Sequence, residues 1–161
     1  MNYIFACVIV ALCWAGGFVV AGEYLSVHKF YKELVGFVSF LKRNINYNRE
    51  LLKDNFANFS CSKKFKEFLL VAYDFVCGSA IKEDLFKLIP NKLDGDSKND
   101  IVDFLQGLGK NDNQSQQDFL SQYIELFSEK ENNANQLKTK NYNVSIKLGI
   151  GIGLVLAIII I

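Results

Sequence analysis

Every charged side chain in this chain lies between Glu23 and Lys147, and both ends beyond that window are free of charge. Residues 3–22, YIFACVIVALCWAGGFVVAG, form an apolar run of twenty. As a helix rising about 1.5 Å per residue, such a run reaches roughly 30 Å, one hydrocarbon thickness. Backbone in lipid must satisfy its own hydrogen bonds, so a transmembrane helix is expected here. Tyr3 and Tyr24 suit the two interfaces, whereas Trp14 falls mid-segment, away from where an aromatic belt would place it. The competing reading is a cleaved leader ending near Val20-Ala21-Gly22. Against it, only Met1 and Asn2 precede the run, with no basic residue, and the run is longer than a usual leader core.

The other end, LGIGIGLVLAIIII over residues 148–161, is short for a span. Extending it to residues 142–161 gives twenty positions and admits Asn143, Ser145 and Lys147, the last able to snorkel on its long stem. A second transmembrane helix, continuing the last long helix, is preferred over a buried core helix. Lys29, Lys32, Lys42 and Arg43 follow the first run, and Lys130, Lys138, Lys140 and Lys147 precede the second. That bias places residues 23–147 in the cytoplasm and both termini outside. Small residues would let the two helices approach closely. Gly149 and Gly153 form a GxxxG pair, and Ala11 with Ala15 and Gly17 with Ala21 form small-xxx-small pairs. The alternative is that glycine is simply common in membrane helices, and a homo-oligomer is left open.

The intervening domain reads as all-helical. It carries a single proline, Pro90, and shows apolar spacings of three and four without sustained alternation. Phe30, Leu34, Phe37/Val38, Leu41 and Ile45 extend the first helix to about Tyr47. Asn48 is expected to cap a second helix, Ser60 or Ser62 a third, and Ser79 a short fourth. The run from Pro90 to Asp100 reads as a loop, with Asp96 or Ser97 starting a fifth helix through Ile101, Val102, Phe104, Leu105 and Leu108. Gly109 and Asp112 suit a left-handed stop and an N-cap, making a tight joint to a sixth helix. That helix has no proline or glycine until Gly149. Its stretch EKENNANQLKTK is nearly all polar, a solvated helix by preference and a partner-binding stalk otherwise. The expected architecture is a small bundle of about six helices between two transmembrane helices. Its many phenylalanines, 14 in all, are expected to fill a small core.

Chemistry is sparse. A net charge of +1 argues against nucleic-acid binding, which needs excess Lys and Arg. Cys7, Cys13, Cys61 and Cys77 show no metal-ligand spacing, and one histidine, His28, completes no zinc set, so reduced thiols behaving as small hydrophobes are expected. Asp94, Asp96 and Asp100 partly imitate a calcium loop but lack its twelfth-position glutamate. No nucleotide, metalloprotease or hydrolase motif occurs. No cofactor and no catalysis are expected.

The segment FLQGLGKNDNQSQQDFL carries a family resemblance. Phe104, Leu108, Gly109, Asp112 and Gln116, with Gln117 following, match the run F-x-x-x-L-G-x-x-D-x-x-x-Q of the stage III sporulation protein AB family of endospore-forming bacteria. The Ile45-Asn46-Tyr47 step and the glycine-rich C-terminal run also match that plan, although Asn48-Arg49 stands where the family usually has Thr-Pro. That family resembles the cytoplasmic domains of the inner-membrane platform proteins of type II secretion and type IV pilus machines. The resemblance implies a non-enzymatic scaffold in the mother-cell membrane, within a channel complex linking mother cell and forespore. The implied partners are the lipid bilayer, a cytoplasmic sporulation ATPase and other channel membrane proteins. An exported, tail-anchored binding module with a cleaved leader is the alternative.

Overall fold

The computed structural model describes residues 2–47, 52–108 and 113–160. Among these residues it contains six helices and no strand: α1 Asn2–Tyr47, α2 Leu52–Asn58, α3 Lys63–Val76, α4 Lys82–Leu88, α5 Gly95–Gly107 and α6 Asn113–Ile160. The all-helical expectation therefore holds. α1 runs to Tyr47, and α6 continues without a break through its polar stretch and on into the apolar tail. The chain divides into two units. One is Lys29–Glu131, and the other joins the residues up to His28 with those from Asn132 onward.

The Lys29–Glu131 unit is built around aromatic side chains. Phe30, Leu34, Phe37, Val38 and Leu41 of α1 are buried, as are Phe65, Phe68, Leu69 and Ala72 of α3. Phe30 meets Phe65 and Phe68 edge-on at 5.6 and 5.1 Å, and Phe37 meets Phe56 and Phe59 at 4.8 and 5.4 Å. Edge-to-face rings pack the negative face of one against the positive rim of another, which favours this geometry over a face-on sandwich. A second cluster joins α5 to α6 through Phe104, Phe119, Tyr123 and Phe127.

Polar groups tie the short helices to this core. Ser62 caps α3 by accepting from the Phe65 N–H, and Glu33 of α1 accepts from both the Ser62 N–H and its hydroxyl, at 2.8 and 2.9 Å. The Lys66 ammonium donates to the carbonyls of Phe56 and Ala57, near the end of α2, where unpaired carbonyls favour a cation. Buried Asn55 of α2 accepts from the Asn44 amide of α1. Asn48, the expected cap of α2, lies outside the described residues.

Two helix starts differ from expectation. Ser79 does not cap α4. Its N–H and that of Ala80 instead donate to the Asp74 carbonyl, closing α3 around Gly78, whose φ of 78° suits glycine. α4 then begins after Ile81, with no side-chain cap. α5 begins at Gly95, ahead of the expected Asp96 or Ser97, because the Asp94 carboxylate accepts from the Ser97 N–H at 2.9 Å. The thiols also differ in part. Cys13 and Cys61 are half-buried, but Cys77, at the end of α3, is exposed and fills no core.

Candidate functional site

Three assemblies stand out: the family-motif packing, a polar hub beside it, and a glycine-mediated helix pair. Phe104 is fully buried and stacks on Phe119 with ring centroids 6.1 Å apart and planes 8° from parallel. It also meets Phe127 edge-on at 5.6 Å and Tyr123 at 5.1 Å. Leu108 is buried at the end of α5. Gln116 is buried on the first turns of α6, Gln117 is half-buried beside it, and the Gln117 carbonyl accepts from Ser121 at 2.6 Å. Gly109 and Asp112 lie outside the described residues. The sequence reading missed Gly107. A methyl group there would collide with the Phe119 ring edge, so the α5–α6 contact as it stands depends on the missing side chain. The signal available was the spacing Phe104-x-x-Gly107, which puts both residues on one helical face.

Ser97 is the centre of the hub. Its hydroxyl accepts from the Lys130 ammonium of α6 at 2.9 Å and shares a hydrogen bond with the Tyr31 hydroxyl of α1. Lys130 also pairs with Asp100 at 2.8 Å. Tyr31 and Ser97 are buried, so these bonds fix α1, the start of α5 and α6 against one another inside the unit. Burial alone would lower the Lys130 pKa. The bond to Asp100, with Tyr31, Asp100 and Asp94 nearby, outweighs it and holds the ammonium above the ordinary lysine value. Hydrogen bonds from Ser97 hold the Asp94 carboxyl below the ordinary aspartate value. The would-be calcium-loop residues Asp94 and Asp100 thus serve as a helix cap and an ion-pair partner. Among the described residues, no group of three metal-ligating side chains occurs.

The third assembly belongs to the other unit. A Cβ at Gly149 would lie 2.8 Å from the Cys13 carbonyl oxygen and 3.4 Å from Gly17 Cα; one at Gly153 would lie 3.1 Å from Val10 Cα and 3.3 Å from Cys13 Cβ. The two backbones therefore touch through glycine, which only a missing side chain permits. Moving forward along α6 moves backward along α1, so the helices are antiparallel. Continued at equal rise, this register brings Tyr142 level with about Gly22 and Ile160 with about Ile4. Val10, Cys13, Gly17 and Ala21 form the stripe on α1, with Ala21 fully buried. Ala11 and Ala15 are exposed. Apart from Lys147, the exposed side chains around the pair include Leu12, Trp14, Phe18 and Val19 on α1, and Leu148, Ile152, Val155 and Ile158 on α6. Among the described residues one helix, α1, is long and apolar enough by composition to cross a membrane.

Comparison with curated proteins and with solved structures gives no match. The family model described as Stage III sporulation protein AB, in contrast, matches residues 2–161. That match, essentially end to end and including the Phe104–Gln116 run, shows that the chain belongs to the stage III sporulation protein AB family.

Proposed function

We propose that this sporulation protein is a membrane-anchored scaffold of the mother cell–forespore channel complex. Its helical bundle, on the cytoplasmic side of the mother-cell membrane, positions an ATPase on a secretion-like machine. The observation that carries the reading is the antiparallel α1–α6 pair. Its two apolar segments run level with each other over their length, and their outer surface carries exposed apolar side chains on both helices, Lys147 being the charged exception. Such a surface is costly in water and matched to lipid. Two helices that are level at both ends would enter and leave a bilayer together, giving the C-terminal segment the span that its own fourteen apolar residues leave short. Cleavage after Gly22 would remove the Cys13 and Gly17 backbone on which Gly149 rests, which disfavours the exported, leader-cleaved alternative.

The proposed action is binding and placement, without catalysis. The acidic and basic groups of the hub are engaged with one another, and Asp84 pairs with Lys87 at 2.8 Å. The test is an in-frame deletion in the native host, scored for heat-resistant spores and stage of arrest, with retrieval of the ATPase on the tagged chain. Arrest after engulfment with normal vegetative growth, and ATPase retrieval that depends on the bundle, are expected. Normal spore yield would refute the reading.

A further inference from the structure

We infer that Lys140 and Lys147, on the outer face of α6, bind the phosphate of an anionic phospholipid while Gly151 and Ile158 receive its acyl chain. The inference rests on the membrane reading above. Lys140 and Lys147 are seven residues apart, two helical turns, and so share a face. That face points away from α1, because Gly149, which touches α1, lies roughly 200° around the helix from Lys147. Both lysines are exposed. Among the described residues neither makes an ion pair or hydrogen bond. The unit they belong to contains one carboxylate side chain, Glu23, against Lys138, Lys140 and Lys147. Its positive charge is therefore not neutralised from within.

The register of the helix pair sets the depth. Lys147 comes level with about Gly17, five residues past the Gly22–Tyr142 level, or roughly 7–8 Å into the apolar zone. An ammonium left at that depth is expensive. The Cα–Cβ bond of a helical residue tilts toward the helix N-terminus, which for α6 is the direction of Tyr142 and the interface. The Lys147 stem therefore leads its ammonium back toward the headgroups, on the same face as Lys140. One turn deeper than Lys147 lies Gly151, where nothing stands within 4 Å of a Cβ position, and beyond it Ile158 is exposed. Read along this face, the order is cation, cation, open slot, apolar side chain. A phospholipid has the complementary order, phosphate and then chain, and this continuity selects a lipid over a soluble anion.

The single tryptophan makes the test direct. Because the slot faces away from α1, the tryptophan is moved onto it as Trp14→Phe with Val155→Trp, Val155 being exposed one turn beyond Gly151 on the same face. This full chain is reconstituted in phosphatidylcholine vesicles, and quenching of its tryptophan by brominated-chain phosphatidylglycerol is compared with quenching by brominated-chain phosphatidylcholine. Two lysines at an anionic headgroup correspond to a preference of roughly ten- to thirtyfold. Lys140→Gln with Lys147→Gln should bring the ratio near one while quenching by phosphatidylcholine persists. Lys140→Arg with Lys147→Arg should keep the preference, and Lys138→Gln should leave it intact. An unchanged ratio in the glutamine double variant overturns the inference, as does an equal loss in Lys138→Gln. Abolition of the preference by inorganic phosphate, but not by chloride at matched ionic strength, would assign a soluble-anion site and also overturn it. Quenching by neither lipid in the chain that keeps both lysines would instead count against the membrane reading itself.

Discussion

The contact between Gly153 and Cys13 yields a quantitative test of the helix pair. A Cβ at Gly153 would stand 3.3 Å from Cys13 Cβ. Disulfide-bonded cysteines hold their Cβ atoms about 3.5–4.5 Å apart, so Gly153→Cys needs an adjustment of only a few tenths of an ångström. In a chain whose Cys7, Cys61 and Cys77 are replaced by serine, mild oxidation should cross-link Gly153→Cys to Cys13 within the monomer. Ile152→Cys is the control, because it is one position away, roughly 100° around the helix, and 54% exposed. Alkylation of free thiols followed by intact mass reads both variants. Adding Gly149→Ile supplies the magnitude. Its Cβ would meet the Cys13 carbonyl oxygen at 2.8 Å, and a backbone atom has no rotamer by which to retreat. The helices must part, at a cost of about 1–3 kcal/mol, which reduces the close-contact population by roughly fivefold to 150-fold. Equal cross-linking of Gly153→Cys and Ile152→Cys, or no effect of Gly149→Ile, would refute the pairing.

The bundle carries three further predictions. Gly107→Val should destabilise it by about 1–3 kcal/mol in denaturant unfolding, and Phe119→Ala in the same chain should recover part of that loss, since the two side chains compete for one space. Lys130→Met should cost about 1–2 kcal/mol, discounted because Lys130 and Asp100 are 22% and 34% exposed. The folded-state pKa of Lys130 is raised, so its contribution is complete below the ordinary lysine value and fades as pH rises through the folded value. The variant should accordingly show a flatter alkaline stability limb. Asp94→Ala should cost about 1 kcal/mol at neutral pH through loss of the α5 cap. The Asp94 pKa is lowered, so the difference between variant and native chain should shrink only as pH falls below the ordinary aspartate value, through the folded one.

Much of the fold was legible because apolar spacing maps directly onto a helical face. The stripe from Phe30 to Leu41 and the set Ile101, Val102, Phe104, Leu105 and Leu108 all proved buried. Local signals that compete for the same few residues were harder to read. Ser79 has the chemistry of a cap, but its N–H was needed to close α3 around Gly78. Asp94, Asp96 and Ser97 are all plausible caps in sequence, and the hydrogen bond from the Ser97 N–H decides for Asp94. The hub was not legible at all. Tyr31, Ser97 and Lys130 lie far apart in the chain, and Lys130 stands at the edge of a run that reads as solvated. Glycine spacing pointed to Gly149 and Gly153, but not to the half-buried Cys13 between them as the contact on α1. The same limit hid Gly107, whose meaning comes from Phe119 on another helix.

The claim that the two apolar ends form one membrane hairpin around a cytoplasmic bundle is tested most directly by thiol topology. Cys77 is exposed on the bundle and is a native reporter, and Asn2→Cys in a chain without the other thiols reports on the opposite side. In intact cells a membrane-impermeant maleimide should label Asn2→Cys at once and reach Cys77 only after the membrane is opened. Labelling of Cys77 in intact cells, or protection of Asn2→Cys there, would contradict the account.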